Sequence, residues 1–334
     1  MSSASQNDFD ERNETRDSIS NLAENFSPVQ LKIGSVQFLN AVPLTWKLGE
    51  IASALKAEVA LSMATPASLA EGLVRGKFDA ALIPIAEAIR HPNLIQVSDV
   101  CIASEGPVAS IELIALKPLE EIRRVGLDPA SRTSNALIQI CMAERLKIAC
   151  EYETFDVGKA MGFDASETEF LDFSQEELCE KLAKACTERG LDAVLLIGDK
   201  ALSAPHQFSG FSCVYDLGQV WTQWVGLPFV YASWFAASTQ ELDRFSLLFN
   251  ESRRASQIEM DVLTIHEAMK RRMPIEQCHD YLTRKIRYRL GGRERRGAEV
   301  FCKMAQKYGL APLGSELEFE ANRKRFGSPD AREQ

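Results

Sequence analysis

Several polar residues with anion-binding or catalytic chemistry lie where the sequence changes from a predicted strand to a predicted helix. Residues 131–134 open one such helix, and hydroxyls with free backbone N–H groups at a helix N-terminus form a ready site for a carboxylate or a phosphate. In open α/β sheets, ligands bind at the loops that follow the strands. A purely structural role is also open, because residues 131–134 are a typical N-cap cluster and Asn40 is a typical helix cap. The candidate residues are Asn40, Ser104, Glu105, Ser110, Arg132, Thr133 and Ser134.

The motifs of the common catalytic and cofactor-binding classes are missing from the sequence. It contains no GxGxxG, GxxxxGK[ST], GxSxG, HExxH or DFG segment. Its four histidines and eight cysteines show no metal-ligand spacing and no CxxC pair. We therefore expect no metal and no nucleotide cofactor. Cysteines of this kind are typical of a reducing compartment, and the N-terminal segment has no apolar core of a secretory signal, so we expect a cytoplasmic protein.

The composition indicates a globular chain of about two domains. The 334 residues are 46% hydrophobic and carry a formal net charge of -9, which argues against nucleic acid as the partner but not against a small anionic ligand. The longest uncharged stretch, residues 217–240, is interrupted by glutamine, glycine and proline, so we expect no membrane span. The first 27 residues hold six acidic residues against two arginines. This pattern predicts a disordered acidic tail over residues 1–30, with an acidic partner-binding arm as the alternative.

Apolar strand-like segments alternate with helical segments, which predicts an α/β fold with largely parallel sheets. Thr65 with Pro66 predicts a helix start, and Ser174 to Glu177 has the form of a capping box for a helix that ends at Gly190. A second box is predicted over 238–241, followed by almost entirely helical sequence to residue 310. The basic run 284–296 predicts a solvated helix end, or alternatively a phosphate or nucleic-acid patch. The predicted strands are LKIGSVQF, FDAALIPI, SIELIAL, RRVGLD, DAVLLIG and GLPFVYASWFAA.

Six segments in order also carry a family resemblance. They are VQFLNAVPL, CIASEGPVAS, LDPASRTS, DAVLLIGDKAL, VYDLGQVWTQWVGLPFVYASW and KIRYRL. Together they resemble the chorismate dehydratases of the futalosine route to menaquinone, over residues 31–310. By this resemblance Asn40 and Ser110 fall where the family contacts its ligand, whereas residues 132–134 are our own addition from anion-site physics. Two positions depart from the family, since Glu105 replaces an aspartate and Val225 replaces a threonine whose hydroxyl could contact the substrate.

The resemblance implies a two-lobed fold of the type II periplasmic-binding-protein class, with mixed, mostly parallel sheets flanked by helices. The first lobe would comprise residues 31–117 and 226–320, the second residues 118–225, and residues 321–334 would form a flexible tail. Two strands, near SIELIAL and GLPFVYASW, would cross between the lobes. The substrate would then lie in the cleft between them.

The implied activity is a carbon–oxygen lyase reaction, the dehydration of chorismate to 3-[(1-carboxyvinyl)oxy]benzoate without a cofactor. We expect the cluster 131–134, with Arg132, Thr133 and Ser134, to bind one carboxylate and Ser104 to contact the substrate. Asn40 and Ser110 would orient the ring or the leaving group. The general base is either Glu105 or the enolpyruvyl carboxylate of the substrate itself, and we favour the latter. Rival interpretations are a solute-binding or sensor protein of the same fold, and the naphthoate-forming enzyme of the same pathway. The oligomeric state is not predicted.

Overall fold

Two β-sheets, each flanked by helices, form two lobes. The computed structural model describes residues 23–162, 174–203, 211–315 and 317. The strands are β1 (Val29–Ser35), β2 (Ala57–Met63), β3 (Ala80–Pro84), β4 (Ile95–Ser104), β5 (Ile111–Ala115), β6 (Arg124–Leu127), β7 (Glu151–Thr154), β8 (Ala193–Ile197), β9 (Cys213–Asp216), β10 (Phe229–Ala236) and β11 (Arg287–Arg289). The α-helices are α1 (Val42–Thr45), α2 (Leu48–Ala54), α3 (Pro66–Val74), α4 (Ile85–Ala88), α5 (Arg132–Ile140), α6 (Val157–Ala160), α7 (Gln175–Arg189), α8 (Asp199–Ser203), α9 (Leu217–Val225), α10 (Leu242–Ile258), α11 (Met260–Lys270), α12 (Ile275–Asp280) and α13 (Gly292–Lys307).

Both sheets are mixed, as the predicted fold class requires. The first has the strand order β11-β4-β10-β3-β1-β2, and the second has the order β7-β6-β8-β5-β9. Parallel pairs join β1 to β2 and β3, and join β6 to β7 and β8. Antiparallel pairs join β10 to β3 and β4, join β11 to β4, and join β5 to β8 and β9. The predicted α/β architecture of mixed sheets is confirmed, but the expectation of mostly parallel sheets is wrong, since the pairs between the described strands are four parallel and five antiparallel.

Local sequence signals located most helix ends correctly. Thr65 caps α3 by accepting a hydrogen bond from the backbone of Ser68, and both bonds of the Ser174 capping box are present. The second predicted capping box is wrong. There the Ser238 hydroxyl accepts from the Gln240 N–H instead, and α10 begins after Glu241, which adopts φ 61°.

The expected lobe boundary after residue 117 is wrong by one strand. β5 lies in the second sheet, between β8 and β9, so the chain crosses between the lobes within residues 105–110. It returns through residues 226–228, ahead of β10 in the first sheet. A carboxylate pins the first crossing, because Asp216 accepts hydrogen bonds from the N–H groups of Val108 at 2.8 Å and Ala109 at 2.6 Å. These bonds hold Ala109 at φ 61°, directly before Ser110.

The ordered part of the chain begins earlier than the composition predicted. Ala23 is 1% exposed and β1 already begins at Val29. The buried Arg244 donates to the carbonyl of Ser27 at 2.6 Å, which fixes this segment to α10. The expected acidic tail over 1–30 is therefore corrected for residues 23–30, while residues 1–22 and 321–334 lie outside the described residues.

Both cysteines of α7, Cys179 and Cys186, are buried. None of the eight cysteines is in a disulfide. Within residues 23–315, apart from the gaps at 163–173 and 204–210, no helix is both long and apolar enough to span a bilayer.

Close backbone packing at the second crossing gives a stability prediction. A Cβ at Gly297 in α13 would overlap the carbonyl oxygen of Pro228, whereas a Cβ at Gly292 in the same helix would meet nothing within 4 Å. We expect Gly297→Ala to lower the free energy of unfolding by about 1–3 kcal/mol, as overpacking of a tight contact does. Urea unfolding of both variants checks this, with Gly292→Ala as the matched control. Equal stability of the two variants would contradict it.

Candidate functional site

A cavity lies between the two lobes and is walled by both sheets. The empty space in it is about 580 Å³, part of which is open to solvent. Apolar side chains such as Leu82, Ile102 and Ile197 form much of the wall. The polar side chains in the wall are those of Asn40, Ser110, Ser131, Thr133, Ser134 and Tyr231.

Chain turns at strand ends place these polar groups. Asn40 lies in a short 3-10 turn, Leu39–Ala41, that precedes α1 and its proline. Ser110 is the last residue of the first crossing and immediately precedes β5. The segment 131–134 forms the N-terminus of α5, as predicted. Four of the seven predicted site residues, Asn40, Ser110, Thr133 and Ser134, thus line one cavity.

A buried tyrosine joins two of these residues, and the sequence analysis missed it. The Tyr281 hydroxyl donates to the Ser110 hydroxyl oxygen at 2.9 Å. The side chain of Asn40 also acts on this phenol in the direction that lowers its pKa, as a nearby hydrogen-bond donor does. The Oδ1 of Asn40 is buried without a partner among the described residues. Tyr281 carries no motif of its own and lies 171 residues from Ser110, so no sequence signal indicated it.

The N-terminus of α5 presents hydrogen-bond donors at the cavity wall. The Ser131 hydroxyl caps the helix by accepting from the Ser134 N–H at 3.2 Å, so the N-cap interpretation holds. The Thr133 hydroxyl accepts from the Ala86 N–H and donates to the Tyr231 carbonyl, each at 3.2 Å. It therefore bridges the two lobes, and its side chain is committed to the fold. The cap uses the N–H of Ser134, so the N–H groups of Arg132 and Thr133 remain the anion-binding feature of this wall.

Three predicted site residues do not line the cavity. Both oxygens of Glu105 are held by arginines, Oε2 by Arg287 and Oε1 by Arg293, each at 2.5 Å. These arginines belong to the basic run 284–296, which therefore makes ion pairs across the fold rather than a purely solvated helix end. Arg132 is 53% exposed and pairs with Glu87 at 3.2 Å.

The remaining predicted residue, Ser104, lies behind the wall. Its hydroxyl shares a 2.9 Å hydrogen bond with Tyr231, and Tyr231 itself lines the cavity. Val225, where the family has threonine, is also not a lining residue. The expected loss of a substrate-binding hydroxyl at this position therefore has no support in the geometry.

A carboxylate beside the cavity fastens the lobes to each other. Asp199, at the start of α8 in the second lobe, accepts from the Leu39 N–H at 3.0 Å and from Arg271 Nε at 2.7 Å. Arg271 also donates to the carbonyl of Gln37 at 2.9 Å. Nearby, a Cβ at Gly198 would lie 2.8 Å from the Phe38 ring. The lobes are therefore closely apposed next to Asn40.

The cavity wall is electrically neutral. Among the described residues that line it there is no carboxylate, imidazole, ammonium or guanidinium group. Its one titratable side chain is Tyr231, and burial raises the pKa of that phenol well above its ordinary value. Such a wall offers neutral hydrogen-bond donors and acceptors to an anionic ligand. It offers no side chain able to act as a strong base near neutral pH.

Comparison with known families places the chain. The sequence profile of a family described as "Menaquinone biosynthesis" matches residues 31–171 and 165–307. The chain belongs to the menaquinone biosynthesis family. These matches cover most of the chain and both lobes, so they include the residues that line the cavity.

Solved structures show the same fold at low sequence identity. Protein AF1704 from Archaeoglobus fulgidus matches with a TM-score of 0.61 and 14% identity, over 84% of this chain and 98% of that one. The periplasmic aliphatic sulphonate binding protein SsuA from Escherichia coli matches at 0.58 and 14%, over 87% and 91%. A Candida albicans protein with the generic periplasmic binding protein fold matches at 0.51 and 11%, over 83% and 90%. This member of the menaquinone biosynthesis family thus has a periplasmic-binding-protein-like fold.

Proposed function

We propose that the protein is a lyase that removes water from chorismate to give 3-[(1-carboxyvinyl)oxy]benzoate. Membership of the menaquinone biosynthesis family and the neutral cavity between the lobes support this proposal. In the reaction, the ring carbon that bears the enolpyruvyl ether loses a proton and the neighbouring carbon loses its hydroxyl. The ring becomes aromatic, which supplies the driving force. The protein has to hold two carboxylates and assist the departure of the hydroxyl.

The polar groups of the wall match these tasks. The first turn of α5 would hold a carboxylate through backbone N–H groups and the helix dipole. The unpartnered Oδ1 of Asn40 would accept the hydroxyl proton of the substrate, and Ser110, whose oxygen already accepts from Tyr281, would donate to the oxygen of that hydroxyl. The acceptor orients the hydroxyl, and the donor, fixed before the reaction, stabilises the negative charge that develops on the departing oxygen without reorganisation.

The observation that carries this mechanism is the lack of a basic side chain among the described lining residues. A general base must lie within hydrogen-bond reach of the proton that it removes. The substrate's own enolpyruvyl carboxylate can meet that requirement, since it is tethered to the deprotonated ring carbon through the ether oxygen and the enol carbon. We therefore propose substrate-assisted catalysis in place of a base supplied by Glu105.

Replacing Glu105 with Gln tests this choice. We expect turnover of chorismate to fall by less than about 3-fold, because the carboxylate pairs with Arg287 and Arg293, and exposed pairs contribute on the order of 1 kcal/mol or less. Asp99→Asn, which breaks a comparable pair with Arg295 on the same lobe, is the matched control. A loss of several orders of magnitude for Glu105→Gln alone would identify Glu105 as the base.

A solute-binding role is the second candidate, because sulphonate-binding proteins share the fold. The eight cysteines, none of which is in a disulfide, support work in a reducing compartment, such as the cytoplasm, rather than a periplasmic receptor. Incubating the purified chain with chorismate separates the two roles. An enzyme releases a product lighter by one water in mass spectrometry. A binding protein shows calorimetric binding of chorismate with no such product at high protein concentration.

A further inference from the structure

We propose that Tyr281 is a positioning residue that fixes the hydrogen-bonding directions of both Asn40 and Ser110 in the cavity. This inference rests on the proposed function, because it gives the two polar groups their roles toward the departing hydroxyl. Tyr281 is not itself a lining residue of the cavity, so it would act only through the two side chains that it contacts.

The position of Tyr281 explains how one phenol can reach both residues. It begins a π-helical turn, Tyr281–Lys285, directly after α12, and turns of this kind often occur at functional sites. Its ring is 2% exposed. Asn40 comes from the loop after β1 and Ser110 from the first crossing, so the phenol links chain segments that are remote in sequence.

The phenolic proton determines where the other protons point. Burial raises the pKa of Tyr281 above its ordinary value, so the phenol keeps its proton and always donates to Ser110. The hydroxyl of Ser110 then directs its own proton away from the phenol. Because Ser110 lines the cavity, this proton can be donated to a ligand there. The amide of Asn40 donates to the phenol, which turns Oδ1 away from it. The result is one donor and one acceptor that together suit a substrate hydroxyl.

A nearby tyrosine shows that this arrangement is more than the packing of a core aromatic residue. Tyr288 on β11 is also buried, at 5% exposure, and its hydroxyl has no hydrogen-bond partner within the described ranges. Both phenols fill space in the same part of the fold. Only the hydroxyl of Tyr281 is bonded to cavity residues, so the two tyrosines form a matched pair for experiment.

Kinetics of the full chain with chorismate test the inference. We expect Tyr281→Phe to lower kcat about 10- to 100-fold, as small misplacements of reacting groups do, with KM changed less than 3-fold. Tyr288→Phe should keep kcat within 2-fold of the wild type. In a Ser110→Ala background, Tyr281→Phe should cost at least 3-fold less than it does in the wild type, because only Asn40 is then left for the phenol to orient. Thermal unfolding confirms that each variant is folded.

The outcomes separate this inference from the proposed function. Full kcat in Tyr281→Phe, or losses that multiply in the double variant, would overturn the positioning role. If the wild type binds chorismate without turnover, the proposed function fails. The Kd of chorismate is then measured by calorimetry for the wild type, the two single variants and the double variant. There, coupling between Tyr281→Phe and Ser110→Ala supports the positioning role, and independent effects overturn it.

Discussion

Asn40→Ala is expected to lower kcat for chorismate dehydration by about 10²-fold or more, the cost of misplacing a reacting group by about 1 Å. The buried Oδ1 of Asn40 has no partner in the part of the chain that the structure describes. Such an unpaired acceptor is unfavourable in the free protein and is satisfied when a ligand hydroxyl donates to it. Oδ1 therefore gains a hydrogen-bond partner only when a ligand binds, as expected of a group that serves ligand binding rather than folding.

Two further variants sharpen the result for Asn40. Asn40→Asp keeps an acceptor oxygen but adds a negative charge to a cavity meant for a dianion, so we expect KM to rise more than in Asn40→Ala. Asn250→Ala removes an amide on α10 that contacts Ser246 at 3.4 Å, and serves as the control for loss of an asparagine elsewhere. Turnover is measured at saturating chorismate. Full turnover by Asn40→Ala would remove Asn40 from the mechanism.

Asp199→Ala is expected to reduce kcat/KM by about 30- to 1000-fold, because the side chain fastens the lobes beside the cavity. Asp199 and Arg271 are each only 13% exposed, and removing one partner of a buried, hydrogen-bonded charge pair costs roughly 2–5 kcal/mol. Arg271 keeps its ion pair with Glu267, so we expect the loss of kcat/KM to lie toward the lower end of the stated range. Loss of the Leu39 N–H bond also frees the turn that carries Asn40.

A second ion pair between the lobes gives the matched comparison. Arg132→Ala breaks the pair with Glu87, but the arginine is 53% exposed, so we expect less than a 5-fold effect, in line with about 1 kcal/mol or less for exposed pairs. Small-angle scattering should show an opened form for Asp199→Ala alone. An equal or larger loss for Arg132→Ala would contradict the fastening role of Asp199, and would return Arg132 to the substrate site.

Features set by neighbouring residues in the chain were predictable from the sequence. The cap at Thr65, the capping box at Ser174 and the buried strand β3 each depend on a few adjacent side chains. The α5 cluster was also found, because an N-cap and an anion site need the same residue types. The hydroxyl of Thr133 was misjudged, since its partners Ala86 and Tyr231 lie far along the chain.

Features that depend on contacts between distant parts of the chain could not be predicted from local sequence patterns. β11 lies in a basic segment with helical character and becomes a strand only by pairing with β4. Glu105 has the chemistry of a base, but arginines 182 and 188 residues away occupy its oxygens. The sheet to which β5 belongs is decided by β8 and β9. In each case the deciding partner is a tertiary neighbour that no local pattern specifies.

Proton NMR of chorismate mixed with the wild-type chain tests the central claim most directly. If the cavity dehydrates chorismate, the olefinic ring signals disappear and the aromatic signals of one product replace them in equal amount. Asn40→Ala should slow this conversion by at least two orders of magnitude, while Glu105→Gln proceeds at nearly the wild-type rate. Olefinic signals that persist with excess wild-type protein, when calorimetry shows that chorismate is bound, would contradict the account.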